Sequence, residues 1–442
     1  MNTRFYNARI LKTNADHTFD VVCGELWVKG NSIAFIGDSA SDEAKKLEIK
    51  FDKEIDCNNN LLMPGFKNAH THTAMTFVRS HADDTSLQNW LFNQIFPRED
   101  KLTEDDIYWL DLLGIMEYLS SGITSNFDMY FFCPNNAKAS IDAGFRTVQT
   151  SGLNNFGGSI DVVEYNYNTV NEMGAANDGL AKFIIGFHGE YTTSKELMEG
   201  IAGLADKYKS PCFTHNSETA QEVQECIERW GKTPTEMTDS LGMYKYGGGG
   251  YHCVHFTEND YEIFKKNNMT FVANWGSNLK LASGFPDVKK CLDKGINLAL
   301  GTDGPASNNA LDMFREMHLC ATVPKVTNND PACMPANEVL FAATAGGAKA
   351  MSLDDCDCLE VGKKADLVMI DMSQPNMQPE NNIVKNIVYS GSKSNVALTM
   401  VNGNVLYEAG KGLDGYNINF DPKEIYAKAN SIIKRINAEV GA

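Results

Sequence analysis

Leu61-Leu62-Met63-Pro64-Gly65-Phe66-Lys67-Asn68-Ala69-His70-Thr71-His72 is an apolar run that closes on His-x-His. Successive side chains of a strand point to opposite faces, so residues i and i+2 share one. His70 and His72 therefore project together from a strand end, where two imidazoles make half of a metal site or simply hydrogen-bond to their surroundings. Residues further along the chain decide between these readings.

From about residue 60 onward, short apolar runs alternate with helical patterns. The runs include Phe183-Ile184-Ile185-Gly186-Phe187, Pro211-Cys212-Phe213-Thr214, Gly250-Tyr251-His252-Cys253-Val254, Thr270-Phe271-Val272-Ala273 and Ile296-Asn297-Leu298-Ala299-Leu300, with helical stretches such as 194–209 and 218–230 between them. Alternation of this kind builds βα units around a parallel sheet. Repeated about eight times, it predicts an α/β fold with a closed (β/α)8 barrel. Before residue 58 and after residue 357 the pattern is instead one of short strands. The second group runs from Ala365-Asp366-Leu367-Val368-Met369-Ile370 through 383–389 to 396–401, where Asn402-Gly403 is a strong hairpin turn. The expected architecture is a barrel over 59–356 interrupting a small β domain made of 1–58 and 357–420, with an amphipathic helix in 421–442.

Hydrophobic residues make up 43% of the 442, enough for a core of this size. A formal net charge of −18 argues against nonspecific binding to nucleic acid or anionic membrane, because the whole-molecule field repels phosphate. No window reaches the roughly 20 apolar residues of a membrane span, and the N-terminus has no signal-peptide core. Eleven scattered cysteines without a Cys-x-x-Cys pair read as reduced thiols in a cytoplasm.

Barrel active sites lie at the C-terminal ends of the strands. Five of the nine histidines fall at such ends: His70, His72, His188, His215 and His252. The strand at 296–300 runs into Gly301-Thr302-Asp303. His70, His72, His215 and Asp303 together form a three-imidazole, one-carboxylate set suited to a divalent first-row metal with an open position for water, whose pKa it lowers from about 15.7 to near 7. The alternative for Asp303 is a helix N-cap. Glu218, three residues after His215, is either a general acid/base for a heterocyclic substrate or part of a capping box with Ser217 or Asn216. His252 can polarise the attacked centre or orient the water.

These residues resemble the amidohydrolase superfamily: His70-x-His72, His215-x-x-Glu218-Thr219, His252-Cys253 and Gly301-Thr302-Asp303-Gly304-x-x-Ser307-Asn308-Asn309, with Ser277-Asn278-Leu279-Lys280 and Lys364-Ala365-Asp366-Leu367-Val368. Within it the chain is similar, over nearly its whole length, to the methylthioadenosine/S-adenosylhomocysteine deaminase and chlorohydrolase-related group. The resemblance implies a distorted (β/α)8 barrel with a small β-sandwich domain from both chain ends. It implies one divalent ion, zinc or alternatively iron, held by His70, His72, His215 and Asp303, with Glu218, His252 and Asp303 as catalytic groups. The implied reaction is hydrolytic deamination of an amino-substituted N-heterocycle, such as an adenosine-type nucleoside. A chlorohydrolase, a guanine, pterin or cytosine deaminase, and a non-catalytic binding protein are the alternatives. A homodimer or tetramer is also implied.

The substrate-binding residues carried over are Trp90, Glu99 and His188. Without the resemblance, Trp90 reads as core packing and Glu99 as a solvated loop charge. Where the family has an arginine for the homocysteine carboxylate, this chain has Ser151, and a hydroxyl cannot replace a bidentate guanidinium. Glu190, in Phe187-His188-Gly189-Glu190-Tyr191, is expected to add an acid near the pocket, and Arg146 to be structural.

Overall fold

The computed structural model describes residues 1–85 and 89–441. The first 64 residues form β1 (Thr3–Thr13), β2 (Phe19–Lys29), β3 (Ser32–Gly37), β4 (Lys53–Asp56) and β5 (Leu61–Pro64). In β3, Ile33 and Phe35 are buried between less buried neighbours, the alternation of a sheet with one wet face.

The central segment carries β6 (Phe66–Thr71), β7 (Ile123–Tyr130), β8 (Arg146–Ser151), β9 (Ala181–Phe183), β10 (Ile185–Gly189), β11 (Cys212–Asn216), β12 (Gly248–His252), β13 (Thr270–Ala273) and β14 (Asn297–Leu300). All pair in parallel, in two ladders ordered β6-β7-β8-β9 and β10-β11-β12-β13-β14. Only Ile184 separates β9 from β10, and its N–H donates to Gln149 O on β8 (2.8 Å). Past the end of β14, Asp303 N donates to His70 O on β6 (2.9 Å). A single buried cluster takes Ala69, Phe127, Val148, Ile184, Phe213, Tyr251, Val272 and Ala299, one residue from each successive strand position. Side chains thus fill the interior under the C-terminal strand ends, and polar residues there project upward from a solid floor.

The chain then returns to the first sheet through β15 (Leu367–Ile370), β16 (Val396–Val401) and β17 (Asn404–Glu408). Together with β1–β5 they make one eight-stranded mixed sheet from both chain ends, β17-β16-β15-β5-β1-β2-β3 with β4 on β1. Where the resemblance implies a small β-sandwich, the strands are joined in this one hydrogen-bonded sheet. Asn402 and Gly403 both have positive φ (50° and 75°), the primed turn their dipeptide predicts. Arg146, at the start of β8, donates from Nε and Nη2 to both oxygens of Asp366 (2.6 and 3.1 Å). Asp366 also accepts from Asn402 N, so this buried pair locks the returning sheet to the bottom of the parallel strands.

One expectation fails. Residues 383–389 form a short helix, Ile383–Lys385, continuing as a wider turn, Asn386–Ser390, and not a strand. Asn382 caps it by accepting from Lys385 N, and Val384, Ile387 and Val388 form its buried face beside the helix Met313–Thr327. The β-branched run carries strand propensity, but capping and packing override it. The last helix, Pro422–Val440, buries Ile425, Ala429, Ile432 and Ile436 at helical spacing against the helix Glu104–Ser120. No helix among the described residues is long and apolar enough to cross a membrane.

The helix Glu104–Ser120 carries a buried acid, Asp111, whose oxygens make no hydrogen bond of normal geometry among the described residues, although Asn136 lies near enough to oppose the rise in its pKa. Burial, reinforced by the charge of Asp128, holds its carboxyl well above the usual 3.8. The folded chain therefore binds this proton more tightly than the unfolded chain. The resulting stabilisation is complete below the unfolded value and is lost as pH rises through the folded one. Asp111→Asn, which keeps the shape and removes the ionisation, is expected to raise unfolding stability at pH 8 by about 1–3 kcal/mol. The gap should close toward pH 4. Urea titrations at the two pH values check this; an equal effect at both would contradict it.

Candidate active site

The C-terminal ends of the parallel strands gather His70, His72, His215, His252, Glu218 and Asp303 around one pocket. The ring centroids of His70 lie 4.8 Å from His72, 4.9 Å from His215 and 5.7 Å from His252. One nitrogen each of His70, His72 and His215 lie within 4.8 Å of one another, as do ligand atoms of His70, His252 and Asp303. Gly301 makes this convergence sterically feasible. A Cβ there would stand 2.7 Å from His70 N and 2.8 Å from His70 Cβ, so only glycine lets the end of β14 run this close to β6.

Hydrogen bonds on the outer face of the rings fix their tautomers. His72 Nδ1 donates to Met129 O (2.6 Å) and His215 Nδ1 to His188 O (2.7 Å). Both acceptors are carbonyls, so each Nδ1 must carry its proton and each neutral ring turns an Nε2 lone pair inward. His252 Nδ1 likewise donates to Asn278 Oδ1 (2.7 Å). His70 is fully buried, stacked on Tyr251 (centroids 3.8 Å apart), and neither ring nitrogen makes a hydrogen bond.

Asp303 accepts from Gly304 N at Oδ1 and from Ser307 Oγ at Oδ2, both at 2.8 Å. Its Oδ1 also lies 3.2 Å from His72 Nε2 and 3.4 Å from His70 Nε2. An anionic oxygen facing imidazole lone pairs at that range is stable only with a cation between them. A proton is one such cation. Although burial alone would lower His72, its hydrogen bond and attraction to Asp303 push it up to about 9. Burial would raise Asp303, but His70 and His72 hold it well below 3.8. By burial above all, His70 is pulled down to about 3 and His215 well below its usual value, leaving both neutral as metal ligation requires. The donor set, the two orphaned nitrogens of His70 and the cation-demanding carboxylate together fit a divalent metal.

Glu218 is almost fully buried. Its Oε1 accepts from Ser283 Oγ (3.3 Å) and its Oε2 lies 3.8 Å from His252 Nε2. Burial raises its carboxyl, with His252 opposing. The capping box nearby uses other residues: Thr219 caps the helix Ala220–Trp230, and Glu222 accepts from Ser217 N and Glu218 N. The Glu218 side chain is thereby left to face the pocket. Asp303 is not an N-cap either, since the next helix begins at Met313. Asp303, His252 and Ser217 all have positive φ (59°, 71° and 52°). Such backbone costs about 1–3 kcal/mol each for non-glycine residues and clusters at functional sites.

The pocket wall places the other sequence-picked residues unevenly. Trp90 is buried, packed with Ala74 and Phe77, yet lines the pocket, so packing and contact with a ligand coexist. Glu99 is half-buried and accepts from Tyr130 OH (2.6 Å); burial pushes it up to about 7. His188 lines the pocket, with Nδ1 on Thr192 Oγ1 (2.8 Å), and burial lowers it to about 3. Ser151 lies at the end of β8 with its Oγ accepting from Leu153 N (3.0 Å); the wall beside it is Gly152 and Asn154. Glu190 corrects an expectation: it faces away, bonded to Arg229 Nη2 (2.6 Å) and Trp230 Nε1 (2.7 Å). Sequence reading gave no role to Tyr130, Phe131 and Leu281, which line the wall, or to Asn278, which it quoted only within a motif and which stands behind His252. Tyr130 ends β7, whose polar Ser125, Asn126 and Asp128 hid it as a strand.

The amidohydrolase family matches residues 61–406. A 5-methylthioadenosine/S-adenosylhomocysteine deaminase of Caldanaerobacter subterraneus subsp. tengcongensis is 39% identical over 412 residues, covering 92% of this chain and 93% of its own. A 5'-deoxyadenosine deaminase of Methanobrevibacter smithii is 36% identical, covering 95% of each. Among solved structures, a zinc-bound adenosine deaminase from Xanthomonas campestris superposes with a TM-score of 0.89 at 29% identity, covering 99% of this chain and 98% of its own. With the family matched across the parallel strands, and full-length relatives above 30% identity, this chain belongs to the amidohydrolase family.

Proposed function

We propose that this protein is a zinc-dependent aminohydrolase that removes the amino group of an adenosine-type nucleoside, consuming water and releasing ammonia. The observation that carries this reading is the placing, in one pocket, of a buried carboxyl, Glu218, beside the His70–His72–His215 group and the Asp303 carboxylate that faces two of its rings. The named activities of the relatives support the same reaction class. We further propose that the two parallel ladders are halves of one distorted (β/α)8 barrel over 59–356, with 1–58 and 357–420 as the β domain and 421–442 as a helical extension.

His70, His72, His215 and Asp303 would hold the ion, which when bound lowers the pKa of a water toward 7. Asp303 would accept a proton from that water. Glu218, whose carboxyl burial raises, would donate to the ring nitrogen next to the amino-bearing carbon, so that the C=N electron pair displaced by the attack moves onto a protonated nitrogen. His252, fixed by Asn278, orients the water against that carbon. The proton held by Asp303 would then go to the departing amine, and ammonia would leave as the added hydroxyl returned its proton to Glu218 and became the carbonyl. Trp90 and His188 flank the heterocycle. Glu99, tethered through Tyr130, accepts hydrogen bonds from sugar hydroxyls. Ser151 carries no charge and already accepts from Leu153 N, so it adds no cation for a substrate carboxylate.

Ammonia release by zinc-replete protein tests this across adenosine, 5′-methylthioadenosine, 5′-deoxyadenosine, S-adenosylhomocysteine, guanine, cytosine and pterins. Turnover confined to adenosine nucleosides is the expected result; none on any adenosine nucleoside contradicts the proposal.

A further inference from the structure

Two of the positive-φ residues, His252 and Asp303, have backbone that lasts only where surrounding contacts enforce it. Each has an asparagine behind it. Asn278 Oδ1 accepts from His252 Nδ1 (2.7 Å). Asn308 Nδ2 donates to Thr302 O (2.7 Å), the carbonyl of the peptide bond that leads into Asp303. The two asparagines follow different strands. Asn278 lies in the short helix Trp275–Lys280 after β13, and Asn308 in the turn after β14.

Both segments meet on one side chain, Glu316 of the helix Met313–Thr327. It is fully buried and makes no ion pair among the described residues. Its Oε1 accepts from Asn308 Nδ2 (2.8 Å), and its two oxygens share the N–H of Gly276 (3.2 and 3.1 Å), a residue in the first turn of the helix that carries Asn278. Both partners of Asn308 Nδ2 are acceptors, which fixes the way its amide points. A Cβ on Gly276 would stand 2.6 Å from Glu316 Oε1 and 2.6 Å from Asn308 Nδ2, so only glycine lets the three groups meet. Burying a carboxyl without a cation is costly, and burial pushes this one up to about 8 against the pull of the N–H groups. An apolar side chain of equal length would fill the same space without that cost. In either protonation state Oε1 remains an acceptor for both segments.

We propose that Glu316 is a positioning residue for the reaction. Through Gly276 and Asn308 it sets the His252 side and the Asp303 side of the pocket relative to each other, without touching substrate. This rests on the aminohydrolase reading above. A misplacement of about 1 Å costs about a hundredfold in rate. Losing Glu316 should therefore slow turnover and spare binding of the substrate, which other walls provide.

The test uses Glu316→Met, which keeps the length and removes every acceptor, Glu316→Gln, which keeps one, and Asn308→Ala, alone and combined with Glu316→Met. KM and kcat per bound zinc are measured on the nucleoside that the wild type turns over fastest. Visible absorption of the cobalt(II)-loaded proteins reads ligand geometry without turnover. Glu316→Met is expected to alter that spectrum and to lower kcat about a hundredfold, with KM within about twofold of wild type. Glu316→Gln should bring kcat back to within about fivefold of wild type, since one acceptor is restored. Asn308→Ala should cost about tenfold alone and less than about threefold on top of Glu316→Met, because both act on the Thr302 carbonyl. Wild-type kcat per bound zinc and an unchanged cobalt spectrum in Glu316→Met would overturn the proposal, make Glu316 a packing residue and leave the deaminase reading standing. Effects of Glu316→Met and Asn308→Ala that simply multiply would overturn it too. Should Glu316→Met not fold, Asn308→Ala carries the same two readouts, and wild-type values for both would overturn it. If the wild type releases no ammonia from any nucleoside, the deaminase reading fails; the cobalt spectra then decide the positioning by themselves, changed in its favour and unchanged against it.

Discussion

Glu218→Gln is expected to lower kcat for ammonia release by about 10³-fold, within the 10²–10⁴ typical of losing a general acid, while the metal content stays at wild-type level. Glutamine keeps the size and the hydrogen bond with Ser283 Oγ but cannot donate a proton of carboxylic acidity. The side chain takes no part in the local capping box, which Thr219 and Glu222 complete, so the substitution leaves the turn after β11 intact. The wild-type rate has a pH signature. Burial raises the carboxyl of Glu218, so the acid form extends to higher pH than in a free carboxyl and is lost as pH rises through the raised value. The alkaline fall in kcat/KM should therefore be absent from the residual activity of the glutamine variant. A variant that loses its metal, or that keeps the same alkaline limb, would show that Glu218 is a ligand or a structural group.

His70→Ala is expected to abolish turnover and zinc retention together. His70 is the most enclosed of the imidazoles; among the described residues neither of its nitrogens makes a hydrogen bond, and its Nε2 lies 3.4 Å from Asp303 Oδ1. Its lone pair faces the point it shares with His72 and His215. A metal that binds only the folded state stabilises it by mass action, about 4 kcal/mol at a thousandfold excess over Kd. Thermal unfolding with and without zinc thus provides a readout independent of activity. The wild type should gain a zinc-dependent rise in Tm, and His70→Ala should lose most of it. An alanine variant that is simply less stable, with the zinc-dependent rise intact, would mean that His70 is a packing residue stacked on Tyr251.

The pairing of His70 with His72 was legible in the sequence because a strand's two-residue period places them on one side and nothing between them interrupts it. His215 and Glu218 were legible as one unit for a related reason: a strand end and the turn after it lie close in both sequence and space. Alternative roles for Glu218 and Asp303 could not be dismissed from sequence, since Ser217, Thr219 and Glu222 offer several caps; coordinates were needed to see Thr219 paired with Glu222. Glu190 was misread because its partners, Arg229 and Trp230, lie about 40 residues away, on a helix end that local patterns do not connect to β10. Residues 383–389 were misread because Ile383, Val384, Ile387 and Val388 satisfy a strand by residue type and a helix by spacing. Packing against Met313–Thr327 settled it. Asn278, which fixes the tautomer of His252 from 26 positions away, stood in a motif already picked out but carried no local sign of its role.

The most direct test is the zinc-to-protein ratio measured by elemental analysis after reconstitution and removal of free metal. One equivalent per chain in the wild type, falling below about a tenth in His70→Ala, is the result expected if three imidazoles and Asp303 hold a single ion. Less than a tenth of an equivalent in the reconstituted wild type would contradict it.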